Sequence, residues 1–276
     1  GTSPKVWNAW KGKLLEDLYR LTLRALGGAK PSLTTEIEAR KREALQTLNL
    51  YSLLPGVQEA LWDTLEPSYF ARHDAADIAW HARSLWRHVY SEKPVVKARL
   101  SAVGEGLQVL VYTPDQPDLF ARICGYFDQA GFSILEAKIH TATNGYALDT
   151  FQVVTAMLPG HYRELISLVE TQALLALSAQ GPLPDPNKGR LSRRVKSFPV
   201  QPRVLLRPDE RAQHWLLSVS ASDRSGLLYS IARVLAKYKI NLQLAKEDTF
   251  LIDGPALQQN RLQLEMESDL LDALSS

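Results

Sequence analysis

The chain is 276 residues long, enough for two or three small domains, and its 45% hydrophobic content suffices for ordinary packed cores. With 32 Lys and Arg against 30 Asp and Glu, a net charge of +2 gives no basis for gripping a polyanion, which sets nucleic acid aside as a partner. A single cysteine excludes a disulfide within the chain, and no apolar run of membrane-spanning length or signal-like segment stands out, so a cytoplasmic protein without membrane contact is expected.

Residues 1–92 read as a helical segment. "VWNAWKGKLLEDLYRLTLRAL", "TEIEARKREALQTL", "PGVQEALWDTL" and "DAADIAWHARSLWRHVY" are successive amphipathic stretches separated by Gly-Gly, Leu-Pro-Gly and Glu-Pro. His73-Asp74, His81 and His88 invite a metal-dependent phosphohydrolase reading, which needs several His and Asp ligands from separate helices. His81 and His88 lie two turns apart on one helix, too far for one ion. The preferred reading is therefore a helix boundary with surface histidines, and no metal ligand is assigned.

From residue 93 onward the chain repeats itself. "LQVLVYT" at 107–113 and "WLLSVSA" at 215–221 are alternating strand-like runs, and each leads through an Asp-containing turn into an amphipathic helix. Leu119, Phe120, Ile123, Phe127 and Ala130 mark the apolar face of one helix; Leu227, Leu228, Ile231, Val234 and Leu235 mark the other. A second strand follows in each copy, "SILEAKI" at 133–139 and "INLQLAK" at 240–246. "PVVKARL" and "PRVLLRP" supply an extra leading strand, Val96 lying 108 residues before Val204, and each copy closes with a helix, near 160–177 and 257–274. The order β-β-α-β-β-α is a ferredoxin-like unit whose last strand has moved to the front, where it can pair beside the first strand and fill the vacated place. Cys124 falls on the apolar side of its helix and is expected in the core.

Asn144-Gly145, between alternating runs, predicts a two-residue hairpin with positive φ at both positions. The repeat offset is 108 at Asp115/Asp223 but 99 at Asp149/Asp248, so the second hairpin is nine residues shorter, and "LAKEDTF" carries no turn signal. Either that hairpin is trimmed or a loop near Lys246-Glu247 is missing from the sequence, and the second is favoured; "GGAKPSL" at 27–33 raises the same question. Between the copies, "GPLPDPNKGRLSRRVK" at 181–196 has the Pro, Gly and Arg content of a solvated linker.

The turns after the first strands are where a ligand would sit. Asp223-Arg224-Ser225-Gly226 stands at a strand end and a helix start, where unpaired backbone N–H groups and the helix dipole favour an anion. Gly226 permits close backbone approach, Asp223 can face an ammonium group, and the amide of Asn241 both donates and accepts. The same residues also read as helix cap, close packing and turn. The first copy places Asp118 where the second has Gly226, and Ser133 where the second has Asn241, so it is the weaker of the two sites, with Asp115 as its remaining acid.

The strand–Asp-x-Pro/Ser-Gly-Leu-Leu–helix pattern resembles the ACT domain, a small-molecule sensor of amino-acid metabolism. The tandem pair, together with "WNAWKGKLLEDLY", "SYFARHDAADIAWHAR", "DTFQVV" and "EDTFLIDG", resembles the C-terminal part of the bifunctional uridylyltransferase/uridylyl-removing enzyme family. That resemblance implies an α+β chain: residues 1–92 as the end of an HD-type hydrolase region and connector, 93–180 as ACT domain 1, 181–196 as linker and 197–276 as ACT domain 2. It implies glutamine as effector, at Asp223, Arg224, Ser225, Gly226, Leu227, Leu228, Asn241 and Gln243, with ACT–ACT pairing within or between chains. It further implies a parent enzyme that attaches UMP to the PII nitrogen-signalling protein and removes it again, using Mg2+ or another divalent metal. The catalytic motifs are absent here, so the chain is expected to be regulatory and to carry no cofactor of its own. The alternatives are an HD-type phosphohydrolase fragment and an ACT-like interaction module without a ligand. An RNA-binding sheet would need exposed aromatics, a signature Tyr112 and Phe151 do not form.

Overall fold

The computed structural model describes residues 33–51, 53–102, 106–116, 118–155, 161–179, 181–186, 201–208, 214–221, 226–246 and 249–275, which form two units. The segment 6–26 of the predicted helices and the basic end of the linker lie outside these residues.

The first unit is helical: α1 Leu33–Leu50, α2 Glu59–Trp62, α3 Pro67–Arg72 and α4 Ala75–Leu85. Ile37, Ala44 and Leu48 put one stripe of α1 in the core, with Tyr69, Phe70, Ile78, Ala82 and Leu85 also buried. The run 55–65 condenses to the single turn of α2 because Gly56 takes a left-handed φ of 85° before it and Glu66 must be extended ahead of Pro67 after it. Arg40 binds the end of α3: its Nη1 donates to the carbonyls of Phe70 at 2.8 Å and Ala71 at 2.5 Å, groups that the helix itself leaves unpaired. Arg40→Ala is expected to cost about 1.5–3 kcal/mol, the range for hydrogen bonds from a charged donor, read as a lower midpoint in urea unfolding.

The second unit holds both repeats. The first consists of β1 Val95–Leu100, β2 Leu107–Pro114, α5 Leu119–Gln129, β3 Phe132–Lys138, β4 Tyr146–Thr155 and α6 Tyr162–Ser178. The second consists of β5 Arg203–Pro208, β6 Trp215–Ser220, α7 Leu227–Lys237, β7 Asn241–Lys246, β8 Thr249–Asp253, a 3-10 turn at Pro255–Gln258 and α8 Asn260–Ser275. Strand order β1-β2-β4-β3-β7-β8-β6-β5 places each leading strand beside the first strand of its copy, the ferredoxin-like arrangement expected from the repeat. The chain is therefore α+β, a helical segment followed by a tandem ferredoxin-like pair.

The two four-stranded sheets are joined antiparallel at β3 and β7, through Glu136↔Lys246, Ala137↔Ala245 and Lys138↔Leu244. Ile139 N–H donates to the Gln243 carbonyl at 3.0 Å just beyond them. One face of this eight-stranded sheet packs a single core with all four helices, drawing Val109, Phe127, Phe151 and Val169 from the first copy and Leu217, Ile231, Phe250 and Met266 from the second. Cys124 is buried with Ala121, Tyr229 and Ala232 between α5 and α7, as expected of a core thiol, and burial pushes its pKa well up.

The Asn144-Gly145 hairpin departs from expectation. Gly145 is left-handed at φ 80°, but Asn144 is not, and the loop widens to an isolated bridge at Thr141↔Ala147. Residues 142–144 belong to the helical unit instead, where the Thr143 N–H donates to the Thr64 carbonyl at 2.9 Å and Asn144 Nδ2 to the Val89 carbonyl at 3.2 Å. Those bonds outweigh the local turn preference. In the second copy β7 and β8 pair as far as Lys246↔Thr249, and the two residues between lie outside the described ones.

Candidate functional site

A cavity of about 650 Å³ opens beside the join between the two copies, within the range usual for small-molecule sites. The first copy contributes the turn after β2 (Asp115, Gln116, Asp118), the start of α5, and Ile139, Thr141 and Asp149; the second contributes the end of α7 with Lys239, Asn241 and Gln243. Asp115, Asp118, Asn241 and Gln243 are thus brought together, although the repeat pattern places them in separate sites. Ser133 is exposed on β3 and is not among the lining residues, nor are Gly226, Leu227 and Leu228 at the head of α7. Asp223, Arg224 and Ser225 lie outside the described residues. Because the copies meet antiparallel, the turn of the first copy lines the cavity together with the strand of the second.

The glycine that one turn keeps and the other lacks has a conformational cause. Gly226 takes φ 76° and Asp118 takes φ 66°, so both helices are entered through a left-handed residue, which aspartate tolerates better than most. The Asp118 carboxylate is turned onto Arg122, Oδ2 to Nη2 at 2.9 Å, which offsets its negative charge toward an incoming acid. Asn241 Nδ2 donates to Asp253 Oδ1 at 3.0 Å, leaving its carbonyl oxygen for a ligand.

Asp149 enters the sequence reading only as a marker of the repeat offset, yet the structure puts it at the cavity. It is 1% exposed, sits on the helix-facing side of β4 between Ala147 and Phe151, and receives one long bond, 3.4 Å from the His140 N–H. Burial pushes its carboxyl pKa well up, the His140 N–H pulls it back, and nearby Asp115 adds to the rise. The folded state therefore holds a proton over a range where the unfolded chain has released it. This contribution to stability is full below the ordinary Asp range and is lost as pH rises through the folded value. Asp149→Asn is expected to flatten that slope and to raise the melting midpoint at pH 8 relative to the parent chain. An unchanged pH profile would show that Asp149 is already ionised in the folded state.

Two of the three histidines of the helical unit are not the surface groups expected: His73 and His81 are 1% and 0% exposed, while His88 is half-buried. The rings of His73 and His81 pack against Tyr69 and against each other, and they are bound within the helices rather than aimed at solvent. The Tyr69 hydroxyl, kept protonated by burial, donates to His81 Nδ1 at 2.6 Å, and His73 Nδ1–H donates to the Tyr69 carbonyl at 2.9 Å. Asp74 accepts the Asp77 N–H at 2.8 Å as the cap of α4. Among the described residues no three His, Cys, Asp or Glu side chains converge to hold a metal ion. Tyr69→Phe is expected to cost about 1–3 kcal/mol by stripping buried His81 of its donor, measured by chemical unfolding. Tyr112 and Phe151 are fully buried and offer no stacking platform, and no described helix is long and apolar enough to cross a membrane.

A family model described as the uridylyltransferase GlnD fifth domain matches residues 32–84. Over its whole length the chain is 57% identical to the bifunctional uridylyltransferase/uridylyl-removing enzyme of Cupriavidus metallidurans. It is 55% identical to that of Ralstonia nicotianae and 53% to that of Burkholderia vietnamiensis. Each match takes in all of this chain and 33% of the relative, so the chain spans a third of the length of the curated relatives it matches. No solved structure matches.

Proposed function

We propose that this chain, which corresponds to one third of the bifunctional uridylyltransferase/uridylyl-removing enzymes, is a glutamine-sensing regulatory region of such an enzyme. In this reading the effector is held in the cavity beside the join of the two copies, and its binding shifts the balance between uridylylation and deuridylylation of PII. Catalysis, and any Mg2+ it needs, would belong to the rest of the enzyme, acting in the cytoplasm.

The observation that carries the reading is the convergence of polar groups from both copies on one cavity: Asp115 and Thr141 from one side, Asn241 and Gln243 from the other. An amino acid presents an ammonium, a carboxylate and, in glutamine, a side-chain amide, and each has a counterpart of matching type here. Sensing near millimolar concentration requires only about 4 kcal/mol, which a few charge-assisted hydrogen bonds supply. A ligand that touches both copies favours whichever mutual arrangement fits it best, and that differential affinity is what regulation needs.

Calorimetry with glutamine tests this. Asn241→Ala is expected to weaken binding about tenfold, equivalent to about 1.4 kcal/mol. Unchanged affinity both in that variant and in Gly226→Asp, which probes the turn of the second copy, would remove the proposed site. Failure of the parent chain to bind any amino acid would leave a pairing module without a ligand.

A further inference from the structure

We infer that Asp149 and Asp115 together seat the ammonium group of the effector, and that Asp149 releases its proton to solvent when that cation arrives. The inference rests on the reading of the cavity as an amino-acid site and adds which end of the ligand goes where.

Asp149 is almost wholly buried yet lines the cavity, and its only protein hydrogen bond among the described residues is the long one from His140 N–H to Oδ1. Among those residues Oδ2 is left without a protein donor. Asp115, in the turn after β2, accepts the Thr141 hydroxyl at 2.9 Å through Oδ2, which leaves Oδ1 open among the described residues. Neither acid has an ion-pair partner among the described residues. A buried carboxyl in that condition stays neutral until a cation comes to it.

The charged and titratable groups around Asp149 make the direction of the ligand definite. From the turn after β2 comes Asp115; from the chain after β3, the buried ring of His140; from α5 and its N-cap, Cys124, Asp128 and the Asp118–Arg122 pair; from the chain just after α7, Lys239. Arg122 is already committed to Asp118. Among the described residues the cation left at the cavity is Lys239, on the side of the second copy. An amino acid is therefore oriented with its ammonium toward Asp115 and Asp149 and its carboxylate toward Lys239. The ammonium keeps its three protons; the one that leaves is the carboxyl proton of Asp149, and the product is an ammonium–carboxylate pair.

Titration calorimetry on the chain with glutamine, in phosphate and in Tris at one pH, reads the protons exchanged from the difference in apparent enthalpy. Expected are net proton release approaching one per ligand and an affinity that rises with pH by up to tenfold per unit. Asp149→Asn should abolish the release and weaken binding about tenfold, while Asp115→Asn should weaken binding and keep the release. 4-Carbamoylbutanoate, which is glutamine without its ammonium, should bind at least tenfold more weakly and release no proton. Glutamine binding without proton exchange, or equal binding of the analogue, overturns the assignment and leaves the cavity as an effector site. Absence of binding by any amino acid instead removes the effector reading and this inference with it. Should Asp149→Asn fail to fold, the two-buffer comparison on the parent chain decides by itself, release supporting the assignment and its absence overturning it.

Discussion

Phe151→Ala is expected to lower the stability of the chain by about 3–5 kcal/mol, the usual cost of emptying a fully buried phenylalanine site. The ring is fully buried on β4, stacked on Phe120 at 6.2 Å and tilted against Phe127 at 5.6 Å, with Val109 and Ala137 opposite it on the flanking strands. None of these neighbours can move into the void without dragging α5 or a strand with it, so the cavity persists and the higher end of the range applies. Phe250 occupies the corresponding place in the second copy, opposite Leu217 and Ala245, and its removal should cost a similar amount. Urea unfolding checks both through the midpoint at unchanged slope. A loss under about 1 kcal/mol in either would mean that the core is not the shared one described.

Much of this architecture is legible in the residues, because the periodicity of a one-sided strand and an amphipathic helix is a local signal that each copy repeats. The leading strands at Val96 and Val204 and the core faces of α5 and α7 come from it directly. What the pattern does not carry is which strand edges meet. β3 and β7 alternate like any half-buried strand, and nothing in "SILEAKI" or "INLQLAK" distinguishes an edge from the centre of an eight-stranded sheet. For that reason the pattern places Asn241 with the turn of its own copy, whereas the antiparallel join sets it across from Asp115. β2 also shows more than its pattern, since Leu110 and Tyr112 are buried on the face opposite to Val109 and Val111. Asp149 does carry a signal. An acid in register with Ala147, Phe151 and Val153 stands on the core face of its strand, and a buried acid at such a position is a candidate site residue on that ground alone.

The two copies also meet through their first helices, and here a glycine is held by packing rather than by backbone angle. Gly125 lies inside α5, where alanine would ordinarily gain about 1 kcal/mol of helix propensity. A β-carbon there would stand 2.9 Å from Cζ of Tyr229 and 3.2 Å from its hydroxyl. The ring cannot swing aside freely, because its hydroxyl donates to the Pro184 carbonyl at 2.6 Å and its body is buried among Ala121, Cys124 and Ala232. Gly125→Ala is therefore expected to reverse the usual sign and destabilise by about 1–3 kcal/mol, and Gly125→Leu by more. Tyr229→Leu shortens the opposing side chain, so in that background Gly125→Ala should cost little; a double-mutant cycle is expected to give at least about 1 kcal/mol of coupling. Additive effects would show that the glycine and the ring do not compete for the same space. The consequence reaches the cavity, whose walls include Leu119 to Ala121 at the start of α5 and Ala232, Leu235 and Ala236 in α7. Prising these helices apart moves the acids of one copy away from Asn241 and Lys239 of the other. If the cavity holds glutamine as proposed, Gly125→Ala should weaken its binding measured by calorimetry, and Tyr229→Leu should restore part of the affinity without any change to a residue that lines the cavity.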